Sequence, residues 1–234
     1  MPPRAATISH GLQENDADPA SLTRRVLLNA KLISVILRSC RERRIDTART
    51  VQPLCCVHAA SIASILCGTM SESTPSAGLK QLRILLPSSA GGHLAELFQL
   101  RELLSTCDCL FVTEDLPLTR QIVAGRACKF VRPNGSNRNW VFWMNFMINW
   151  LLAIPILLSF RPHAIVTTGS HTAVPFCYLG KLLRCKIIYI LSFARIDTGA
   201  AAATAVYPIA DLFFVQWEQM RRIYPKSVFV GPLF

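Results

Sequence analysis

Three short runs of residues carry most of the chemistry available to this chain. The first is Pro87-Ser88-Ser89-Ala90-Gly91-Gly92-His93-Leu94. Glycines such as Gly91 and Gly92 let a backbone come close to a ligand, and a helix opening there turns unpaired N–H groups toward an anion. An imidazole is well suited to general-base work near neutral pH, which makes His93 a candidate base. Its competing role is that of a polar residue in a first helical turn. The second run is Thr167-Thr168-Gly169-Ser170-His171-Thr172-Ala173-Val174-Pro175, and the third is Ser192-Phe193-Ala194-Arg195. Arg195 offers a planar fork that meets a phosphate bidentately, or else an ion pair with Asp197. A dinucleotide site is the rival for the first run, since Glu114 and Asp115 follow about 20 residues on, where a ribose-binding acid would sit. The spacing, however, lacks G-x-G-x-x-G.

The elements needed to position these runs are legible in the apolar pattern. Leu82–Leu86 is a strand candidate, and the leucines at 94, 97, 100, 103 and 104 mark a helix over His93–Ser105. Asp108–Thr113 reads as a second strand, Pro117–Ala124 as a short helix and Lys129–Arg132 as a third strand ended by Pro133-Asn134-Gly135. Ala164–Thr167, Lys186–Ser192, Leu212–Gln216 and Val228–Val230 are further apolar strands, with helices between most of them. Continuously apolar strands alternating with helices specify an α/β, Rossmann-like parallel sheet covered on both faces. Ligands of such a sheet lie at the carboxyl ends of its strands. Both the first and second runs follow a strand and open a helix, so their turns are expected to face one crevice.

One segment bears on location. Trp140–Phe160 has no charged residue, is bracketed by Arg138 and Arg161, and carries Trp140, Trp143 and Trp150. Its length suits a membrane span. Strand patterns on both sides argue against one, because a span would put two halves of a sheet across a bilayer. Asn145, Asn149 and Ser159 dilute it, and Pro155 would kink it. An in-plane membrane helix accounts for the aromatic residues and flanking arginines; a buried crossover helix is the alternative.

Composition limits the remaining possibilities. Apolar residues make up 51% of the 234 and charged residues 17%, which excludes a disordered chain. The net charge of +11 is scattered, with no basic run longer than two. A nucleic-acid partner is therefore not indicated, and an anionic membrane surface or a pyrophosphate fits better. The nine cysteines show no zinc-ligand spacing, Cys107 and Cys109 being too close, and read as buried free thiols of a reducing compartment. Residues 1–80 form an extension unlike the rest, and 81–234 a single domain. The charge-free stretch 51–70 is a candidate anchor, and Met70 a candidate natural start. The only D-x-D, Asp16-Ala17-Asp18, lies in that extension, so neither a metal site nor a cofactor is expected in the domain.

Several of these motifs, in order, are identified as a resemblance. Ser88-Ser89-x-Gly91-Gly92-His93-Leu94, the Thr167–Pro175 run and Ser192-Phe193-Ala194-Arg195 are followed by Tyr207-Pro208-x-x-Asp211-Leu212-Phe213, Gln216-Trp217-Glu218 and Tyr224-Pro225-Lys226. Together they resemble the PssD-type exopolysaccharide proteins, relatives of the membrane subunit of the eukaryotic dolichol-linked N-acetylglucosaminyltransferase. The Gly-Gly-His loop is similar to that of the lipid II-forming N-acetylglucosaminyltransferase.

The resemblance covers about residues 82–234 and implies the N-terminal half of a GT-B glycosyltransferase. A partner chain would supply the C-terminal half and bind the UDP-sugar. This half would hold a polyprenyl-pyrophosphate-linked acceptor, at the cytoplasmic face of the inner membrane. His93 would act as base or as orienter of the acceptor hydroxyl. Ser88, Ser89, Gly91, Gly92, Thr168, Gly169, Ser170, His171, Thr172 and Arg195 would bind substrate. The family's usual Glu before Ser-Phe-Ala-Arg is Leu191 here. A non-catalytic membrane scaffold that activates a partner transferase, and more distantly a nucleotide-cofactor oxidoreductase, are the other readings of the same residues.

Overall fold

The computed structural model describes residues 34–39, 82–135 and 139–233. The candidate anchor 51–70, Met70 and Arg138 lie outside the described residues, as does nearly all of the extension 1–80. Seven parallel strands make one sheet: β1 (Arg83–Pro87), β2 (Asp108–Glu114), β3 (Cys128–Val131), β4 (Ala164–Thr167), β5 (Lys186–Ile190), β6 (Leu212–Val215) and β7 (Val228–Phe229). Their order across the sheet is β3-β2-β1-β4-β5-β6-β7. The chain winds outward from β1 in one direction, then returns to pair β4 beside β1 and winds out the other way. The Rossmann-like sheet expected from the strand pattern is thus present, and its switch point falls between β1 and β4, where the register pairs Ile84 with Ala164 and Leu85 with Ile165.

Alternation along each strand supplies two cores, one per face. Leu85, Val112, Ile165, Ile187, Tyr189 and Phe213 point to one side. Ile84, Leu86, Phe111, Val166, Ile188 and Phe214 point to the other. The second core also takes Leu94 and Leu97 from helix α1 (Gly92–Phe98) and Ile36 from the helical segment 34–39. The leucine-spaced helix expected over His93–Ser105 is divided. α1 closes at Gln99 with bonds from Gln99 N–H to the Glu96 carbonyl and from Leu100 N–H to that of Leu97, and α2 (Arg101–Thr106) begins anew. These three-residue closures tighten the last turn. They leave Leu100 between the helices, wholly buried in the core. α3 (Pro117–Ile122) leads to β3. Cys107, Cys109, Cys128, Cys177 and Cys185 are all free thiols. Burial pushes Cys177 up to about 12 and Cys107 to about 11, which suits packing rather than nucleophilic chemistry.

Helix α4 (Trp140–Phe160) is the crossover from β3 to β4. It is long and apolar enough to cross a membrane by length and composition, but one stripe of it is built into the domain. Phe142, Asn149, Ala153 and Leu157 are buried, and the two asparagines that dilute the segment are the groups that seat it. Asn149 is fully buried; its Oδ1 accepts from Arg132 N–H and its Nδ2 donates to the Arg132 carbonyl, both at 2.9 Å. Asn145 Nδ2 donates to the Pro133 carbonyl at 3.0 Å. The opposite stripe is left bare: Trp140 is 73% exposed and Leu151 68%, and Trp143, Met147, Ile154 and Leu158 continue the line. Pro155 does not end the helix. It lies on the exposed side together with Leu151, to whose carbonyl it has no N–H to donate. Trp150 departs from the other two tryptophans. It is half-buried, packed between Phe146 of its own helix and Tyr178 of helix α5 (Ala173–Leu182).

Candidate functional site

The carboxyl ends of β1 and β4 are tied to each other by side-chain hydroxyls. Thr167 Oγ1 donates to the Pro87 carbonyl at 2.8 Å, and Thr168 Oγ1 donates to the His93 carbonyl at 2.7 Å. Ser89 N–H donates to Ser170 Oγ at 3.0 Å. The backbone must bend sharply to make these links. Gly169 has φ +119° and Ser170 φ +111°, a region that side chains other than glycine's rarely occupy. At Gly169 a Cβ would also stand 3.0 Å from Tyr189 Oη and 3.2 Å from His93 Cε1. The missing side chain is what lets the His93 ring lie against the second loop.

Above these loops is a pocket of about 470 Å³ lined by Ser89, His93, Ser170, His171, Thr172 and Arg195 together with Glu114, Asn134 and Phe142. Most of the residues singled out from the sequence therefore converge. Ser88 and Thr168 do not reach the pocket. Both are fully buried; Thr168 ties the loops through its bond to the His93 carbonyl, and Ser88 bonds the Val112 carbonyl through its backbone N–H alone. Gly91 and Gly92 are exposed at the opening of α1. That helix has only seven residues, so its macrodipole is small and the positive charge at the site comes chiefly from Arg195. Arg195 lines the pocket, and among the described residues it forms no ion pair with Asp197 or any other carboxylate.

Two acids are tied into the loops around the pocket: Glu114, weighed from the sequence only as a ribose-binding acid, and Glu96, which the sequence pattern did not mark. Glu114, at the end of β2, is 5% exposed; its Oε1 accepts from Thr172 Oγ1 at 2.9 Å and from Asn134 N–H at 3.2 Å. Those bonds occupy the carboxylate that a dinucleotide reading would assign to a ribose. Glu96, one turn after His93, accepts through Oε1 from Ser192 Oγ at 2.7 Å and from Phe193 N–H at 3.1 Å. Leu191, where the sequence resemblance implies an acid, is instead buried in the core. The only sequence signal for Glu96 was its place on the His93 side of α1, three residues on. Nothing local marked its link to residues almost a hundred positions away.

The later motifs are structural. Asp211 sits at the opposite end of the sheet, bound by Lys181 Nζ at 2.9 Å and Ile187 N–H at 2.8 Å. Burial alone would raise its pKa, but the Ile187 N–H and the two lysines Lys181 and Lys186 outweigh burial and hold it below the ordinary value. Gln216 Nε2 donates to the Leu191 carbonyl while its Oε1 accepts from Leu233 N–H. Trp217 Nε1 donates to the Phe193 carbonyl at 2.7 Å and its ring rests on Phe193. Tyr224 Oη accepts from Ala200 N–H.

The pocket reaches the first turn of α4 on its docked side. Phe142 forms part of its wall, and its ring meets His171 edge-on at 5.4 Å. A polar pocket lined by Arg195, which forms no ion pair among the described residues, thus lies at one end of a helix with one bare apolar face.

Comparison with known proteins points the same way. A family model described as "Oligosaccharide biosynthesis protein Alg14 like" matches residues 138–233. The chain is similar to Alg14-like proteins. The UDP-N-acetylglucosamine transferase subunit ALG14 of Yarrowia lipolytica is 33% identical over 92 residues, 37% of this chain and 43% of the relative. The subunits of the same name from Mus musculus and Schizosaccharomyces pombe are each 24% identical, over 65% and 74% of this chain and 83% and 93% of the relatives. Among solved structures, MurG of Acinetobacter baumannii aligns with a TM-score of 0.50 at 11% identity, over 59% of this chain and 42% of that one. The likeness to MurG is one of fold. The matched stretch spans less than half the length of the Yarrowia relative and of MurG.

Proposed function

We propose that this chain is the acceptor-binding, membrane-seated half of a two-chain glycosyltransferase. Residues 81–234 form its catalytic domain, the N-terminal half of a GT-B pair, preceded by the extension 1–80. The observation that carries the proposal is that the polar pocket meets the first turn of α4 through Phe142 and His171, at one end of the helix whose opposite face is bare and apolar. A lipid-linked sugar pyrophosphate has a matching shape: an anionic head for the pocket and a tail for the apolar stripe. Arg195, the Ser89 loop and the Ser170–Thr172 loop would hold the pyrophosphate and sugar. Trp140, Trp143, Met147, Leu151, Ile154 and Leu158 would lie in the plane of the membrane, on its cytoplasmic face.

The reaction is an inverting transfer. The acceptor hydroxyl attacks the anomeric carbon of a UDP-sugar, the bond from that carbon to the UDP oxygen breaks, and His93 takes the hydroxyl proton. UDP departs on the side supplied by the partner chain, which binds most of the donor. That the relatives are named as subunits supports a partner. The donor placed first is UDP-N-acetylglucosamine, the sugar nucleotide named for those relatives. The PssD-type motifs add a hexose or uronic acid, and an exopolysaccharide or capsule setting at the inner membrane.

A scaffold that merely seats an active partner on the membrane is the second reading, favoured by how much of α4 is committed to an exposed apolar stripe. Transfer from a panel of radiolabelled UDP-sugars to membrane lipid extract separates the two. Product only when both chains are present supports the split enzyme and identifies the donor. Equal product from the partner alone leaves this chain an anchor.

A further inference from the structure

His93 Nδ1 and Glu96 Oε2 face each other at 3.9 Å, on the same side of α1. Both atoms are buried, and among the described residues neither has a hydrogen-bond partner. Two polar atoms left open side by side in a protein interior call for an account, because most such atoms are satisfied. The separation is longer than a hydrogen bond, as catalytic contacts often are before substrate is present. The other oxygen of the same carboxylate is already fixed, by Ser192 Oγ at 2.7 Å and Phe193 N–H at 3.1 Å. The Glu96 side chain is 12% exposed and that of His93 33%. With Nδ1 buried, the exposed edge of the ring is the one carrying Nε2, and His93 lines the pocket.

We infer that Glu96 is the positioning residue of His93: its Oε2 accepts the Nδ1 proton, which leaves the lone pair on Nε2 facing the acceptor hydroxyl. A ring nitrogen's protonation is set by what the other nitrogen bonds, so a carboxylate on Nδ1 selects the tautomer that can act as base through Nε2. The same carboxylate stabilises the imidazolium formed when the hydroxyl proton arrives. Its second oxygen ties the base to the loop carrying Arg195, so the base and the phosphate-binding guanidinium keep one spatial relation. This inference rests on the proposed role of His93.

Glu96→Gln separates the two oxygens. The amide oxygen of glutamine still accepts from Ser192 and Phe193 N–H, which fixes its NH2 toward His93, where it cannot accept the Nδ1 proton. Initial rates of sugar transfer and thermal unfolding are measured on the two-chain complex for wild type, E96Q, H93A, H93A/E96Q and S192A. The expected result for E96Q is a KM and melting temperature close to wild type and a kcat lower by roughly 10²-fold or more, in the range of general-base contributions. H93A/E96Q is expected to be no slower than H93A, since a residue acting through another adds nothing once that other is gone. S192A removes a loop contact but leaves Oε2, and should keep most of kcat; it stands as the control should E96Q fold poorly. Wild-type kcat in E96Q, or an S192A variant as slow as E96Q, overturns the inference and reduces Glu96 to a loop anchor, with the role of His93 untouched. Wild-type rates in H93A overturn the base itself, and the positioning role with it.

Discussion

Replacing Asn149 with leucine would make the α4 segment more apolar and, for a helix spanning a bilayer, more comfortable. For the docked crossover helix the effect is opposite. Asn149 is fully buried and makes two 2.9 Å hydrogen bonds to the backbone of Arg132. Leucine has the same branching but is bulkier, and it leaves both backbone groups unpaired, at about 1–3 kcal/mol each where water cannot reach them. Burying the new apolar side chain returns up to about 1.5–3 kcal/mol. Arg132 itself is exposed, so water relieves part of the first cost, and leucine packs against polar groups, which removes much of the second. A net loss of roughly 2 kcal/mol follows, or about 4–8 °C of melting temperature for a domain of this size. Circular dichroism of the protein held in nanodiscs reads the melting temperature, and flotation with vesicles reads membrane association. The expected outcome is earlier unfolding with undiminished flotation. An N149L variant as stable as wild type would refute the seating of α4 through this residue and reopen a spanning helix.

Three further outcomes follow from the structure. Trp143→Glu with Leu151→Glu, both on the exposed stripe, should weaken vesicle binding at least tenfold, given the apolar area withdrawn, and leave the melting temperature within about a degree; flotation and calorimetry read the pair. Ser170→Gly should be more stable than Ser170→Ala by about 1–3 kcal/mol in chemical denaturation, because both lose the bond to Ser89 N–H but only glycine relieves the positive φ. Asp211→Asn should lower stability at neutral pH, and the deficit should shrink as pH falls below about 4. The folded pKa of Asp211 lies below its unfolded one, so the stability it contributes is present above the unfolded pKa and lost as pH falls through the folded value.

The fold was legible because its signals are local. Strand runs such as Ala164–Thr167 are buried on both faces and so carry unbroken apolar sequence, and turns at Gly91 and Gly169 are marked by the residue that their positive φ requires. The break in the His93–Ser105 helix was not legible, since the leucine spacing is the same whether or not the turn at Gln99 tightens to admit Leu100. Nor was the presence of Ile36 in the second core, which depends on packing at long range. The convergence of the two loops was legible because strand–turn–helix geometry places them at the switch point. Glu96 escaped, and Glu114 was read only as a ribose-binding acid, because their contacts are made with partners far along the chain, Ser192 and Thr172. Conversely Asp211, Gln216 and Tyr224 stand out as motifs yet brace strand ends and loops, since buried hydrogen-bonding side chains are as constrained as those that touch a ligand.

The central claim is that this chain contributes the base and does more than seat a partner. The most direct test is the rate of sugar transfer to a lipid-linked acceptor by the two-chain complex with His93 intact and with His93→Ala, at matched partner occupancy and vesicle binding. The expected rate in H93A is lower by about 10²–10⁴-fold, with the complex still assembled on the membrane. An H93A complex that transfers sugar at the wild-type rate would contradict it.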